Sequence, residues 1–168
     1  MRAERNNLAE MIAQAQGKKP ASLVIRNVSI FNLITGKIQR GDIALCGDRI
    51  AGVGGPYRGE RELDGTGLTA VPGFIDAHVH VESSMVTPFE FERCVLPHGV
   101  TTAICDPHEL ANVAGTRAID YFLECARRMC MDLRIQICSC VPSTSLETAG
   151  AELGAEELRR YAAEPLSC

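Results

Sequence analysis

Leu8, Met11, Ile12 and Ala15 recur at helical spacing across residues 3–15 and predict a short amphipathic helix, with Gly17 and Pro20 to stop it. From Leu23 the rhythm changes. β-Branched residues such as Val24, Val28 and Ile30 dominate, and polar positions alternate with them only loosely. Three short runs, residues 23–33, 42–46 and 49–53, are separated by turn formers at Thr35-Gly36-Lys37, Arg40-Gly41-Asp42 and Cys46-Gly47-Asp48. The pattern predicts a small antiparallel β unit ending in the glycine-rich loop 52–59. Residues 60–63 and the turn Asp64-Gly65-Thr66-Gly67 connect it to the rest of the chain.

Beyond residue 70, strands and helices alternate. Residues 71–81 read as a strand opened by Pro72-Gly73. Thr87-Pro88-Phe89-Glu90 carries three helix-start signals: a capping threonine, a proline at the first helical position and a glutamate placed for a capping box. Pro97-His98-Gly99 ends that helix. A strand over 100–105 comes next, then a helix over about 115–131 with Ile119, Phe122, Leu123, Ala126 and Cys130 on one face. A strand over 134–141 and a helical stretch over 156–163 complete the series. This alternation predicts βα units on a parallel sheet, an α/β class. The chain therefore divides into residues 1–70, with the helix and β unit, and residues 71–168, with the βα units.

Composition narrows the function. The 168 residues are 46% hydrophobic and 23% charged, ordinary for a globular chain and unlike a disordered tail, a collagen repeat or a coiled coil. The formal net charge is -4 and no basic patch is visible, so no nucleic-acid partner is expected. No run of 18 apolar residues exists and Met1-Arg2-Ala3-Glu4-Arg5 lacks an apolar signal core. A cytoplasmic location with no membrane partner is the expectation. The eight cysteines form no C-x-x-C pair and read as reduced thiols packed as small hydrophobes.

The chemistry concentrates at two strand ends. In Pro72-Gly73-Phe74-Ile75-Asp76-Ala77-His78-Val79-His80-Val81-Glu82, period two points His78 and His80 the same way, so both imidazoles can hold one metal ion. Asp76 lies on that face one step earlier, and Glu82 is next on it if the strand continues. The second cluster is Cys105-Asp106-Pro107-His108-Glu109, where Pro107 turns the chain out of the strand. Ligands of parallel α/β folds bind beyond the carboxyl ends of strands, where both clusters fall. Asp106 reads equally as a site residue or as the cap of a helix through residues 110–113. His108 and Glu109 read as functional. Ser83 and Ser84 could present hydroxyls to a substrate or be ordinary loop residues. Cys138 and Cys140 share a strand face and read as small filling side chains rather than ligands. No phosphate-binding glycine loop and no G-x-S-x-G elbow is present.

The chain resembles the N-terminal part of the adenine deaminase family of the amidohydrolase superfamily, from about residue 17 to 164. The resemblance rests on residues 72–85 with their His78-Val79-His80 and Glu82-Ser83-Ser84-Met85, on Leu96-Pro97-His98-Gly99-Val100-Thr101-Thr102, and on Cys105-Asp106-Pro107-His108-Glu109-Leu110-Ala111-Asn112-Val113. Ser139-Cys140-Val141-Pro142-Ser143 and Thr148-Ala149-Gly150-Ala151-Glu152-Leu153 also fit. It implies a TIM-type (β/α) barrel, of which these are the first three βα units, preceded by part of a small composite β-sandwich domain. It implies a divalent metal centre, binuclear in the complete enzyme and holding Mn, Fe or Zn, that activates water for attack on C6 of adenine to give hypoxanthine and ammonia. His78, His80 and Glu82 carry over as metal residues, His108 and Glu109 as catalytic residues, and Ser83 and Ser84 as substrate contacts. A homo-oligomer is implied for the complete enzyme.

The family's remaining ligands would lie after residue 164, so the chain alone is expected to be inactive, with a bare apolar edge on its third strand. Two other readings stand beside this one. One is a dihydroorotase-like or hydantoinase-like hydrolase of cyclic amides, which would share H-x-H but not Cys105-Asp106-Pro107-His108-Glu109. The other is a non-catalytic fragment with weak metal binding. A cytidine-deaminase-type zinc site is excluded because no P-C-x-x-C comes after His80-Val81-Glu82.

Overall fold

The computed structural model describes residues 2–168, with side chains from residue 8 onward, and divides into two units, Met1–Pro72 and Gly73–Cys168. In the first, α1 (Arg2–Ala15) precedes β1 (Leu23–Asn32), β2 (Lys37–Cys46), β3 (Arg49–Gly54), β4 (Glu62–Asp64) and β5 (Thr69–Ala70). The sheet order is β3-β2-β1-β4, with β5 also on β1. The β1–β2 and β2–β3 pairs are antiparallel. The first hairpin closes on the Asn32 side chain, which accepts from the amides of Ile34 (3.0 Å) and Thr35 (3.1 Å).

Two expectations for this unit are corrected. β4 and β5 run parallel to β1, so the unit is mixed rather than antiparallel, and residues 62–64 are a strand rather than a connection. Three residues are too few for a period of two to register in the sequence. The helix expected over 3–15 is present as α1, with Leu8 and Ile12 about half exposed and Gln14 buried.

Polar contacts lock β1 to its neighbours. Arg26 donates to Asp42 Oδ2 on β2 (2.8 Å) and to Glu62 Oε2 on β4 (3.0 Å). Asp42 also accepts from the Asn27 amide at 3.1 Å, beside the bulge between Ile25 and Val28 where Asn27 turns left-handed. Burial pushes the Asp42 carboxyl up, but the Asn27 amide and the Arg26 guanidinium outweigh it and hold the carboxyl below the usual aspartate range.

In the second unit β6 (Phe74–Val79), α2 (Pro88–Val95), β7 (Val100–Cys105), α3 (His108–Ala114), α4 (Thr116–Ala126), β8 (Asp132–Ile135) and α5 (Ala155–Arg159) succeed one another. The three strands are parallel in the order β6-β7-β8. Thr87 caps α2 by accepting from the Glu90 amide at 3.3 Å. The Glu90 carboxylate takes Arg93 instead of completing the box. The core joins Ala103 and Cys105 of β7, Leu133 and Ile135 of β8, and Ile119, Phe122 and Leu123 of α4.

The helix expected to run to residue 131 ends at Ala126, leaving Cys130 exposed, and the third strand ends at Ile135 rather than residue 141. The third strand's edge is not bare. Ile135 N donates to Leu166 O (2.8 Å), Cys168 N to Ile135 O (3.0 Å) and Ile137 N to Cys168 O (3.1 Å), so residues 166–168 pair along it. At the start of the unit Gly73 is fixed by sterics, because a Cβ there would collide with Thr101 Oγ1.

Candidate metal centre

β6 and β7 lie side by side, so the residues beyond their carboxyl ends emerge together. His78 sits one residue before the end of β6, His80 one residue beyond it, and Asp106 one residue beyond β7. Between Asp76 and Val79 β6 advances three residues while β7 advances two, from Ala103 to Cys105. This bulge re-aims the side chains at the strand end. The two Nε2 atoms lie 3.1 Å apart, with ring centroids at 4.8 Å and planes at 85°. One ligand atom from each of His78, His80 and Asp106 falls within 4.8 Å of the others.

The donor set fits a divalent cation. Asp106 is 8% exposed, and its Oδ1 is buried with no hydrogen-bond partner among the described residues. An orphaned carboxylate oxygen beside two imidazole nitrogens is costly until a positive charge satisfies it. His80 Nδ1 faces two acceptors, the Asp106 carbonyl at 2.9 Å and Glu109 Oε2 at 3.0 Å. Both require Nδ1 to carry the proton, so the Nε2 lone pair is left for the cation. Asp106 does not cap a helix: α3 starts at His108 behind Pro107, without a side-chain cap. That removes the helix-cap reading of Asp106.

The remaining candidates surround this group. Asp76 Oδ1 accepts from the His78 amide at 3.2 Å and steadies the backbone there. The strand does not continue to Glu82, which opens a short 3-10 turn over Glu82–Ser84. Its Oε1 accepts from the Leu110 amide at 3.2 Å, and its Oε2 is buried with no hydrogen-bond partner among the described residues. Burial pushes the Glu82 carboxyl above the ordinary glutamate range. Burial acts the same way on Glu109 but is outweighed, chiefly by the hydrogen bond from Ser83 Oγ (2.7 Å), so Glu109 stays below that range. The two carboxyls are thus pushed in opposite directions, Glu82 up and Glu109 down. Ser83 is engaged with Glu109, while Ser84 is exposed at the rim.

His108 lies 6.2 Å from His80, centroid to centroid, and its Nδ1 meets Cys140 Sγ at 3.1 Å. Cys138 and Cys140 do not share a face, because the strand has ended: Cys138 is buried in the core and Cys140 is exposed. Burial pushes the Cys105 thiol up to about 12 and the Cys138 thiol up to about 11. The sequence offered no signal for the contact of Cys140 with His108. The contact depends on where the loop after β8 folds back.

Residues 69–166 match the amidohydrolase family. The chain is 58% identical over 161 residues to the adenine deaminase of Gluconobacter oxydans (strain 621H), covering 96% of this chain and 28% of that protein. It is 60% identical over 154 residues to the adenine deaminase of Cereibacter sphaeroides (strain ATCC 17025), covering 92% of this chain and 27% of that protein. The chain thus spans little more than a quarter of the length of these relatives. Among solved structures, the zinc-complexed atrazine chlorohydrolase of Arthrobacter aurescens TC1 superposes with a TM-score of 0.62 at 18% identity, over 83% of this chain and 41% of that one. The zinc-complexed N-acyl-D-glutamate deacylase of Bordetella bronchiseptica does so with a TM-score of 0.52 at 17% identity, over 70% of this chain and 29% of that one.

Proposed function

Because the chain belongs to the amidohydrolase family, we propose that it forms the cation-holding N-terminal part of an adenine deaminase, which hydrolyses adenine to hypoxanthine and ammonia. The observation that carries the reading is the convergence of His78 Nε2, His80 Nε2 and the orphaned Asp106 oxygen beyond β6 and β7. The Gluconobacter and Cereibacter relatives, both adenine deaminases, support the choice of adenine as the small-molecule substrate.

His78 and His80 hold the cation through Nε2, and Asp106 supplies a third, anionic donor. Glu82 stands behind them, beside Glu109, as a second carboxyl available to the centre. A divalent ion bound there supplies Lewis acidity and makes a water acidic enough to attack at neutral pH. Glu109 keeps the Nδ1 proton on His80. His108 faces the same mouth and can exchange a proton with a substrate ring nitrogen or the leaving amine. Ser84 offers a hydroxyl to the purine edge, and Ser83 does so when it releases Glu109.

The parallel three-stranded sheet is read as the first three units of a TIM-type barrel, and the first unit as part of a composite β-sandwich domain. The exposed Phe74 and Ile75 on β6 support an open sheet that more chain would cover. The ion is Mn or Fe, with Zn as the alternative, in a binuclear centre when the enzyme is complete. The complete enzyme is read as a cytoplasmic homo-oligomer.

The test is calorimetric titration of the chain with Zn²⁺ and Mn²⁺. The reading expects one cation bound per chain, lost in His78→Ala and in His80→Ala. Absence of binding, or binding unaffected by both substitutions, removes it.

A further inference from the structure

We propose that Ser83 is a positioning residue of the cation centre, a role that rests on reading His78, His80 and Asp106 as the donors. Its hydroxyl holds the Glu109 carboxylate against His80 and so sets the aim of an imidazole that Ser83 itself does not touch. Glu109 Oε1 accepts from Ser83 Oγ at 2.7 Å, while Oε2 of the same carboxylate lies 3.0 Å from His80 Nδ1. With one oxygen tied to the serine and the other turned to the ring, both ends of the carboxylate are fixed.

The contact closes a ring of bonds. The Ser83 amide donates to the His80 carbonyl at 3.2 Å, so the path from the His80 imidazole through Glu109 and Ser83 returns to His80 by its own backbone. The 3-10 turn that presents Ser83 is itself held. The Ser84 amide donates to the Val81 carbonyl at 3.0 Å and the Met85 amide to the Glu82 carbonyl at 2.9 Å. Glu82 Oε1 accepts from the Leu110 amide at 3.2 Å, beside the bond from Ser83 to Glu109. Consecutive residues of the turn thus grip consecutive residues of the first turn of α3.

The serine matters because the Glu109 side chain is 45% exposed. A glutamate at that exposure keeps its torsional freedom, and an exposed ion pair alone holds it poorly. The bond from Ser83 removes that freedom beforehand, so cation binding does not have to order the carboxylate. A hydroxyl has one proton to donate, and while Glu109 takes it Ser83 has none for a substrate.

The experiment is calorimetric titration with Zn²⁺ of the unsubstituted chain, Ser83→Ala, Ser83→Thr, Glu109→Ala and the double variant, each first melted in chelator to report an intact fold. Alanine suits an exposed helical turn, so Ser83→Ala is expected to fold. It is expected to weaken binding about three- to ten-fold, less than Glu109→Ala does, while Ser83→Thr, which keeps the hydroxyl, stays within about two-fold of the unsubstituted chain. In the Glu109→Ala background, Ser83→Ala is expected to change the affinity by less than about two-fold, because the hydroxyl has lost the group it positions. A serine that merely shapes the turn would weaken binding equally in both backgrounds. Unchanged affinity in Ser83→Ala, an equal loss in Ser83→Thr, or an equal loss with and without Glu109 overturns the proposal and leaves the cation centre standing. No binding by the unsubstituted chain removes the centre and the role of Ser83 together.

Discussion

Glu109 Oε2 sits 3.0 Å from Nδ1 of His80, and the same Nδ1 lies 2.9 Å from the carbonyl of Asp106. An imidazole held this way presents Nε2 in one direction only. Glu109→Ala leaves the carbonyl alone to fix the ring. It is expected to weaken Zn²⁺ binding by about 10- to 100-fold, with Glu109→Asp restoring part of the loss. Isothermal titration calorimetry on the two variants measures both effects, and equal affinities would show that the carbonyl suffices.

Asp106 sets metal affinity against stability. An unpaired buried acceptor costs about 1–3 kcal/mol. Asp106→Ala is therefore expected to raise the melting temperature of the chelated chain and to abolish the further rise produced by added Zn²⁺. Thermal denaturation with and without the ion separates the two contributions.

Gly73 tolerates no side chain. A Cβ would collide with Thr101 Oγ1 and come within 2.7 Å of Thr101 Cβ. Gly73→Ala is expected to destabilise the second unit by about 1–3 kcal/mol, the range for overpacking. Thr101→Ala removes the hydroxyl and methyl but keeps Cβ, and should rescue Gly73→Ala in part. Urea denaturation of the two single variants and the double variant gives the coupling.

Acid stability of the first unit runs through Asp42. Its carboxyl is held below the ordinary value by the Asn27 amide and Arg26, against the opposing effect of burial. The folded state thus binds this proton less readily than the unfolded chain. The stability it contributes is fully present above about pH 4, the ordinary aspartate value, and is lost as the pH falls through the lower folded value. Asp42→Asn should flatten the acid limb of the stability–pH curve, as measured by circular dichroism.

The parallel strands and the paired histidines were legible in the sequence because both depend on local period. Val100–Cys105 was bounded by a glycine and a proline, and H-x-H needs only strand geometry to converge. Asp106 was ambiguous because its role turns on whether Pro107 lets a helix start behind it, and the helix starts at His108 instead. Glu82 was placed on the strand's face by extrapolation, but the chain turns at Val81 into a 3-10 segment, and the carboxyl reaches the α3 amide of Leu110. The pairing of residues 62–64 and of 166–168 is non-local and leaves almost no mark in three residues of sequence.

The bulge in β6 makes residue count, not only residue type, the determinant of cation capture. One additional position between Asp76 and Val79 sets the register at which the histidine pair meets Asp106. Deleting Ala77 would keep every donor in the chain yet shift the histidine pair by one register step, turning both imidazoles together to the opposite surface of the sheet, an error that restoring no single side chain could repair.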